Sequence, residues 1–221
     1  MAGDVLSGAY VQGEYWLTVQ APALPASAAD VQDLTVELGD VSTVSPQSVS
    51  YQIRHLDQML TVDRSGSMLE PAAAPKIDAA RNAASLYVDT ARSDDKLGVV
   101  SFSGNNSEPD DDATLDSLLS TMTPVNRDAA RAKVLGLSAN GLTSIGDGVF
   151  KSAAEFPIRG TAVGEDHIVL LSDGMQNVGR LWNDVRAGVI AAGIKVDTIA
   201  LGPLTDQALL QQIADDTGGT Y

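Results

Sequence analysis

The chain has 221 residues, 44 % of them hydrophobic and 19 % charged, and its 29 acidic and 14 basic side chains give a formal net charge of -15 with no cysteine present. That length holds one substantial core and at most a small second module. The acidity repels phosphate backbones and anionic lipid surfaces, which argues against nucleic acid as a partner, and no apolar run approaches the ~18 residues of a membrane-spanning helix. Without cysteine there are no disulfides, thiolate metal sites or cysteine nucleophiles, and the start "MAGDVLSGAY" does not read as a signal peptide.

Residues 1–52 alternate apolar and polar side chains at period two in "GEYWLTVQAP", "DLTVELGD" and "SVSYQI", separated by Pro, Ser, Gly and Asp clusters. This spacing predicts three strands of a small antiparallel module, with Tyr15 and Trp16 packing within it. Three strands are too few to close a core, so the segment is expected to belong to a β-sandwich or to pack on the main domain.

Residues 53–221 change character. "QMLTVD" is a short apolar strand, followed by "KIDAARNAASLYVDTAR", in which Ile77, Ala80, Ala84, Tyr87 and Val88 recur at helical spacing. "KLGVVSFS" predicts a buried strand, "NRDAARAKVLGL" a helix and "TSIGDGVFKSAAEF" another. "HIVLLSDG", "LWNDVRAGVIAAGI", "KVDTIALG" and "DQALLQQIADDTGG" then supply strand, helix, strand and helix. This alternation predicts an α/β fold: a doubly wound, mostly parallel central sheet with helices on both faces. "TGGTY" reads as the turn into a further strand. "PDDD", Pro109 to Asp112, reads as a solvated loop tip, because consecutive carboxylates lack the spacing of a calcium loop.

Ligands of open parallel sheets bind beyond the carboxyl ends of the strands. Three segments place oxygen-bearing side chains there: Asp63, Ser65 and Ser67 in "LTVDRSGSM", Thr143 in "NGLTSIGDG", and Asp173 in "IVLLSDG". All five offer oxygen, which suits Mg²⁺, with Mn²⁺ or Ca²⁺ able to substitute. Each piece also has a plain structural reading: Ser65, Ser67 and Thr143 as helix caps, and "SDG" as a turn. Asp147 is expected to make a cap or a supporting contact. Met68 is a candidate to line the cleft, and Leu181 and Trp182 are expected to pack in the core rather than form an apolar rim.

"VDRSGSM", "GLTSIGDGV" and "IVLLSDGMQN" resemble the three loops of the metal-ion-dependent adhesion site of von Willebrand factor type A domains, the family that includes integrin inserted domains. The pattern matches at Asp63, Ser65, Ser67, Thr143 and Asp173, and the resemblance runs from about residue 56 to 221 through "VDTIALG" and "IADDTGGTY". It implies the Rossmann-like fold of that family, ending here before its last strand and helix. It also implies a non-catalytic adhesion function, in which a bound divalent ion accepts a Glu or Asp carboxylate from a protein partner. "TSIGDG", "VDTIALGP" and "DDTGG" further resemble the secreted calcium-activated chloride-channel regulators and their bacterial relatives, which implies an extracellular or cell-surface setting. Those regulators carry a His-Glu-x-x-His protease segment that this chain lacks, having only His55 and His167.

Two other classes compete. A Mg²⁺-dependent phosphotransferase of the haloacid-dehalogenase kind needs a second carboxylate two residues after its nucleophile. Ser65 stands there and cannot move that proton near neutral pH. Neither a phosphate-binding Gly-rich loop nor a G-x-S-x-G elbow is completed. A metal-free scaffold is the second competitor, and no ligand position has been lost to motivate it.

Overall fold

The computed structural model describes residues 4–11, 14–20, 31–38, 40–50, 55–105, 112–162, 164–202 and 205–221. The chain divides into two compact units, Met1–Ile53 and Arg54–Tyr221.

The first unit contains two antiparallel hairpins. β1 (Asp4–Val11) pairs with β2 (Glu14–Gln20), and β3 (Val31–Leu38) pairs with β4 (Val41–Ser50). The sequence patterning missed β1, where Ser7, Gly8 and Ala9 blur the alternation. It also started the last strand too late: "SVSYQI" overlaps only the end of β4, and residues 51–53 lie outside the described residues, as do the side chains of Tyr15 and Trp16. The β3–β4 register shifts between Gln32 and Leu34, opposite the stretch that contains Pro46. A residue without an N–H is tolerated at such an irregularity.

The second unit is built on five strands in the order β7-β6-β5-β8-β9. β5 (Leu56–Asp63), β6 (Lys96–Phe102), β8 (Glu165–Ser172) and β9 (Lys195–Ala200) are parallel. β7 (Ala113–Thr121) lies antiparallel on the edge beside β6. The sequence reading did not include β7, because only one side of this edge strand is covered and its apolar pattern is broken by bulges. The loop tip at residues 106–111 lies outside the described residues, and Asp112 at its end is buried rather than solvated.

Strand alternation sends side chains to two cores. Leu60, Val62, Val169 and Leu171 face α1 (Lys76–Thr90) and α2 (Pro124–Leu135), which contribute Ile77, Ala80, Ala84, Val88, Ala130 and Val134. Met59, Val100, Phe102, Ile168 and Leu170 face α3 (Ile145–Ala153), α5 (Trp182–Ala191) and α6 (Gln207–Thr217). Each fully buried aliphatic or aromatic side chain contributes about 1.5–3 kcal/mol, so both faces are held by the hydrophobic effect. The sheet is therefore wound on both sides, as the alternating pattern implied. "TSIGDGVFKSAAEF" forms two helices rather than one, because Pro157 near the start of α4 (Phe156–Arg159) has no N–H to carry α3 onward.

Local signals set the helix ends. Thr123 caps α2 by accepting from Asn126 N at 3.3 Å, with Pro124 opening the helix. Asp206 caps α6 by accepting from Leu209 N at 3.0 Å, and Gly218 closes it with a φ of 71°.

Candidate metal centre

The strand order places a crevice at one point on the sheet's rim. From β5 the chain moves outward through β6 and β7, then returns to lay β8 and β9 on the other side of β5. The loops that leave β5 and β8 therefore diverge, and ligands of doubly wound sheets bind where the order reverses. Asp63 is the last residue of β5 and Asp173 follows the last residue of β8.

Asp63 is fully buried. Its Oδ1 accepts from Ser65 N at 2.8 Å and its Oδ2 accepts from Ser172 Oγ at 2.7 Å. The Ser65 and Ser67 hydroxyls lie 3.0 Å apart, and Ser67 Oγ donates to Asp173 Oδ1 at 2.8 Å. A short 3-10 turn, Gly66–Leu69, makes this close spacing possible by carrying Ser67 back over the strand end. Thr143 arrives from the loop before α3. A Cβ at Gly174 would stand 2.8 Å from Thr143 Oγ1 and 3.5 Å from Ser67 Oγ, so the two hydroxyls flank the backbone next to Asp173. All five sequence-derived positions thus meet at one rim. The capping readings do not hold: Ser65 makes no side-chain cap bond to the 3-10 turn, Ser67 lies inside that turn, and the residue before α3 is Ser144 rather than Thr143.

Backbone bonds lock the loops together. Arg64 N donates to Phe102 O at 3.0 Å, Asn140 N to Arg64 O at 2.7 Å, and Gly66 N to Gly141 O at 2.8 Å. Gly141 has a φ of 74°, and a Cβ there would stand 2.5 Å from Gly104 O, so glycine is required. The Arg64 side chain reaches Ser101 Oγ and Asn140 Oδ1 and braces the same junction. Asn177 holds Thr143 from the other side: its Oδ1 accepts from Thr143 N at 2.9 Å and its N donates to Thr143 O at 3.1 Å. Asp147, fully buried, accepts from Ser144 Oγ, from Arg180 N at 3.0 Å and from the Arg180 guanidinium, which sits 4.3 Å over the Phe150 ring. It fastens the loop after β8 to α3.

The electrostatics of the rim are those of a site short of positive charge. Burial pushes the Asp63 carboxyl above its ordinary value, hydrogen bonds from Ser172 and Ser65 pull it back, and the nearby Asp173 carboxylate pushes it up again. The Lys76 ammonium bonds Asp173 Oδ2 at 2.5 Å. Among the described residues no group of three or more His, Cys, Asp or Glu side chains is placed to hold a metal ion. The rim offers two carboxylates and three hydroxyls, an all-oxygen set of the kind a hard divalent cation takes.

Several residues of the site were not anticipated. Ser172, Asn177, Arg64 and Lys76 all bear on the five positions. A sequence signal existed for Lys76, since a cation in the first turn of a helix opposes the helix dipole and needs a local anion. Two expectations are corrected. Met68 is fully buried in the core beneath α1 and does not line the cleft. Trp182 packs in the core and donates from Nε1 to Asp216 Oδ2 at 2.9 Å, whereas Leu181, one residue earlier, is 54 % exposed. At the start of α5 successive side chains point in different directions, so both could not enter the core.

A structure described as von Willebrand factor type A from Catenulispora acidiphila has a TM-score of 0.66 and 23 % identity, with coverage of 87 % of this chain and 42 % of that one. The conserved hypothetical protein BatB from Bacteroides thetaiotaomicron has a TM-score of 0.61 at 18 % identity, with coverage of 75 % of this chain and 88 % of that one. Proximal thread matrix protein 1 from the mussel byssus, with a zinc-occupied MIDAS motif, has a TM-score of 0.60 at 19 % identity, with coverage of 73 % and 41 %. These likenesses are of fold. The chain spans less than half the length of the first and third of these proteins. No curated protein sequence matches it. The family profile for the von Willebrand factor type A domain matches residues 58–176, more than half of the sequence and all three loops of the rim. The chain belongs to the von Willebrand factor type A domain family.

Proposed function

We propose that residues 53–221 form a non-catalytic, Mg²⁺-dependent protein-binding domain, that residues 1–52 form an N-terminal β-rich segment belonging to a β-sandwich, and that the partner presents a Glu or Asp carboxylate. Asp63, Ser65, Ser67, Thr143 and Asp173 would hold the ion, with Mn²⁺ or Ca²⁺ able to take its place. The observation that carries this reading is the chain of contacts at the rim: Ser65 Oγ to Ser67 Oγ to Asp173 Oδ1, with Asp63 buried behind and Thr143 Oγ1 beside Gly174. A buried carboxylate beside a second one is costly unless a cation faces it. When bound, the ion supplies an electrophilic contact for the partner's carboxylate oxygen.

The chain's own residues do the rest. Asp63 and Asp173 provide charge, while three neutral hydroxyls complete the oxygen set without cancelling more of the ion's charge. Ser172 fixes the orientation of Asp63, and Asn177 fixes Thr143. The burial of Asp63 keeps water away and strengthens its charge interactions at the rim. The mussel byssus protein, of similar fold, carries zinc in its MIDAS motif, which is consistent with a divalent ion at this position.

The test is a melting experiment on chelator-stripped protein titrated with Mg²⁺. Wild type is expected to melt at higher temperature as Mg²⁺ is added, and Asp63→Ala to show no response. An identical response in both, or none in either, refutes the site. Turnover of a generic phosphate ester that disappears in Asp63→Asn would instead favour the phosphotransferase reading.

A further inference from the structure

Lys76 is the first residue of α1, and its ammonium lies 2.5 Å from Asp173 Oδ2 and 3.4 Å from Ser67 O. Ser67 Oγ donates to the other oxygen of the same carboxylate. The Asp173 side chain is fully buried, while that of Lys76 is 23 % exposed. The stem of Lys76 passes the loop after β9, where a Cβ at Gly202 would stand 3.6 Å from Lys76 Cε. A cation at this position works against the dipole of α1. The bond to Asp173 offsets that cost.

We propose that Lys76 is a tethered competitor for the divalent ion: its ammonium occupies the outer edge of Asp173, and ion binding requires it to withdraw. The inference rests on the metal-site reading above and adds a residue to it. Two cations cannot both sit at hydrogen-bonding or bonding distance from one carboxylate without strong mutual repulsion. Lysine suits such a role because its ammonium is a point charge on a flexible four-carbon stem, and the partial exposure of Lys76 leaves it a route to water. The ion-free form is then charge-paired, which protects the buried carboxylates, and a higher ion concentration is needed to displace the ammonium. Linkage makes the effect reciprocal: whatever the ammonium contributes to the ion-free domain is subtracted from ion affinity.

Isothermal titration of Mn²⁺ into chelator-stripped protein tests this, using wild type, Lys76→Met and Lys76→Gln. Lys195→Met, at the opposite end of the sheet, controls for the loss of one positive charge, and Asp63→Ala controls for the site. Removal of the ammonium is expected to tighten Mn²⁺ binding about 5- to 150-fold, the usual span of a coupling between two ligands. The ion-free melting temperature of the same variants is expected to fall below that of wild type, and Lys195→Met is expected to leave affinity unchanged. Unchanged or weaker binding in both Lys76 variants, with wild type still binding, overturns the competition and leaves the metal site standing. An equal gain in Lys195→Met also overturns it. Failure of wild type and both Lys76 variants to bind Mn²⁺ overturns the site and the competition together.

Discussion

Gly174→Ala is the most informative single perturbation of the rim. The added methyl would stand 2.8 Å from Thr143 Oγ1, where ordinary contact begins at 3.4 Å, so the hydroxyl must retreat by about 0.6 Å. Oxygen–metal distances tolerate deviations of roughly 0.2 Å. The substitution therefore displaces one oxygen of the proposed ion site and leaves both carboxylates in the chain. Gly174 does not have a positive φ, so the backbone accepts alanine, but the residue is buried and the methyl crowds the Thr143 side chain rather than entering open space. Restricting the unfolded chain stabilises by ~0.4–1 kcal/mol, while crowding a packed site costs about 1–3 kcal/mol. In chelator, Gly174→Ala is thus expected to melt at or a little below the wild-type temperature. With Mg²⁺ at about 100 times the dissociation constant, wild type gains ~2.7 kcal/mol, or roughly 5–11 °C for a domain of about 150–250 residues. A tenfold weaker variant gains about half of that at the same concentration. Differential scanning calorimetry with and without Mg²⁺ measures both arms. A full wild-type response in Gly174→Ala would show that Thr143 Oγ1 is not a donor, and a gain of stability in chelator would show that the methyl does not crowd Thr143.

Two further outcomes probe the fold that carries the rim. Burial, with smaller contributions from Asp197 and Asp95, pushes the Tyr87 hydroxyl from 10.0 up to about 12. Between those pH values the unfolded chain loses this proton while the folded one keeps it, so stability falls as pH rises through the window and is unaffected below it. Tyr87→Phe is expected to lack this component, by up to roughly 2–3 kcal/mol at the upper end. Urea titrations of both proteins at pH 9 and pH 12 read the difference, and parallel losses would refute it. Thr61 Oγ1 and Ser152 Oγ form a 2.7 Å bond between β5 and α3 with both residues fully buried. Thr61→Val or Ser152→Ala alone is expected to cost about 1–3 kcal/mol by stranding the partner, and the double variant less than the sum. Strict additivity in denaturant midpoints would show that the two hydroxyls are not coupled.

Periodicity was enough to read the alternating strands and helices of the second unit, because β5, β6 and β8 are buried on both faces and their sequences carry continuous apolar runs. It failed at β1 and β7, whose backbone pairing is imposed by a neighbouring strand rather than by an apolar pattern of their own. The five oxygen-bearing residues were legible as a motif resemblance and as three separate loops. Nothing local to any of those loops states that Asp63 and Asp173, 110 positions apart in the chain, share one rim.

The sequence by itself determined most segments of helix and strand in the second unit, β7 excepted, and which side chains can offer oxygen at their ends, since both follow from short-range spacing and side-chain chemistry. Only the tertiary structure decided that β8 lies beside β5, that Ser172 and Lys76 contact the two carboxylates, and that Trp182 turns inward while Leu181 stays in water. Those outcomes depend on strand order and on the shapes of neighbouring elements, which burial of the whole core selects at once and no local window of sequence encodes.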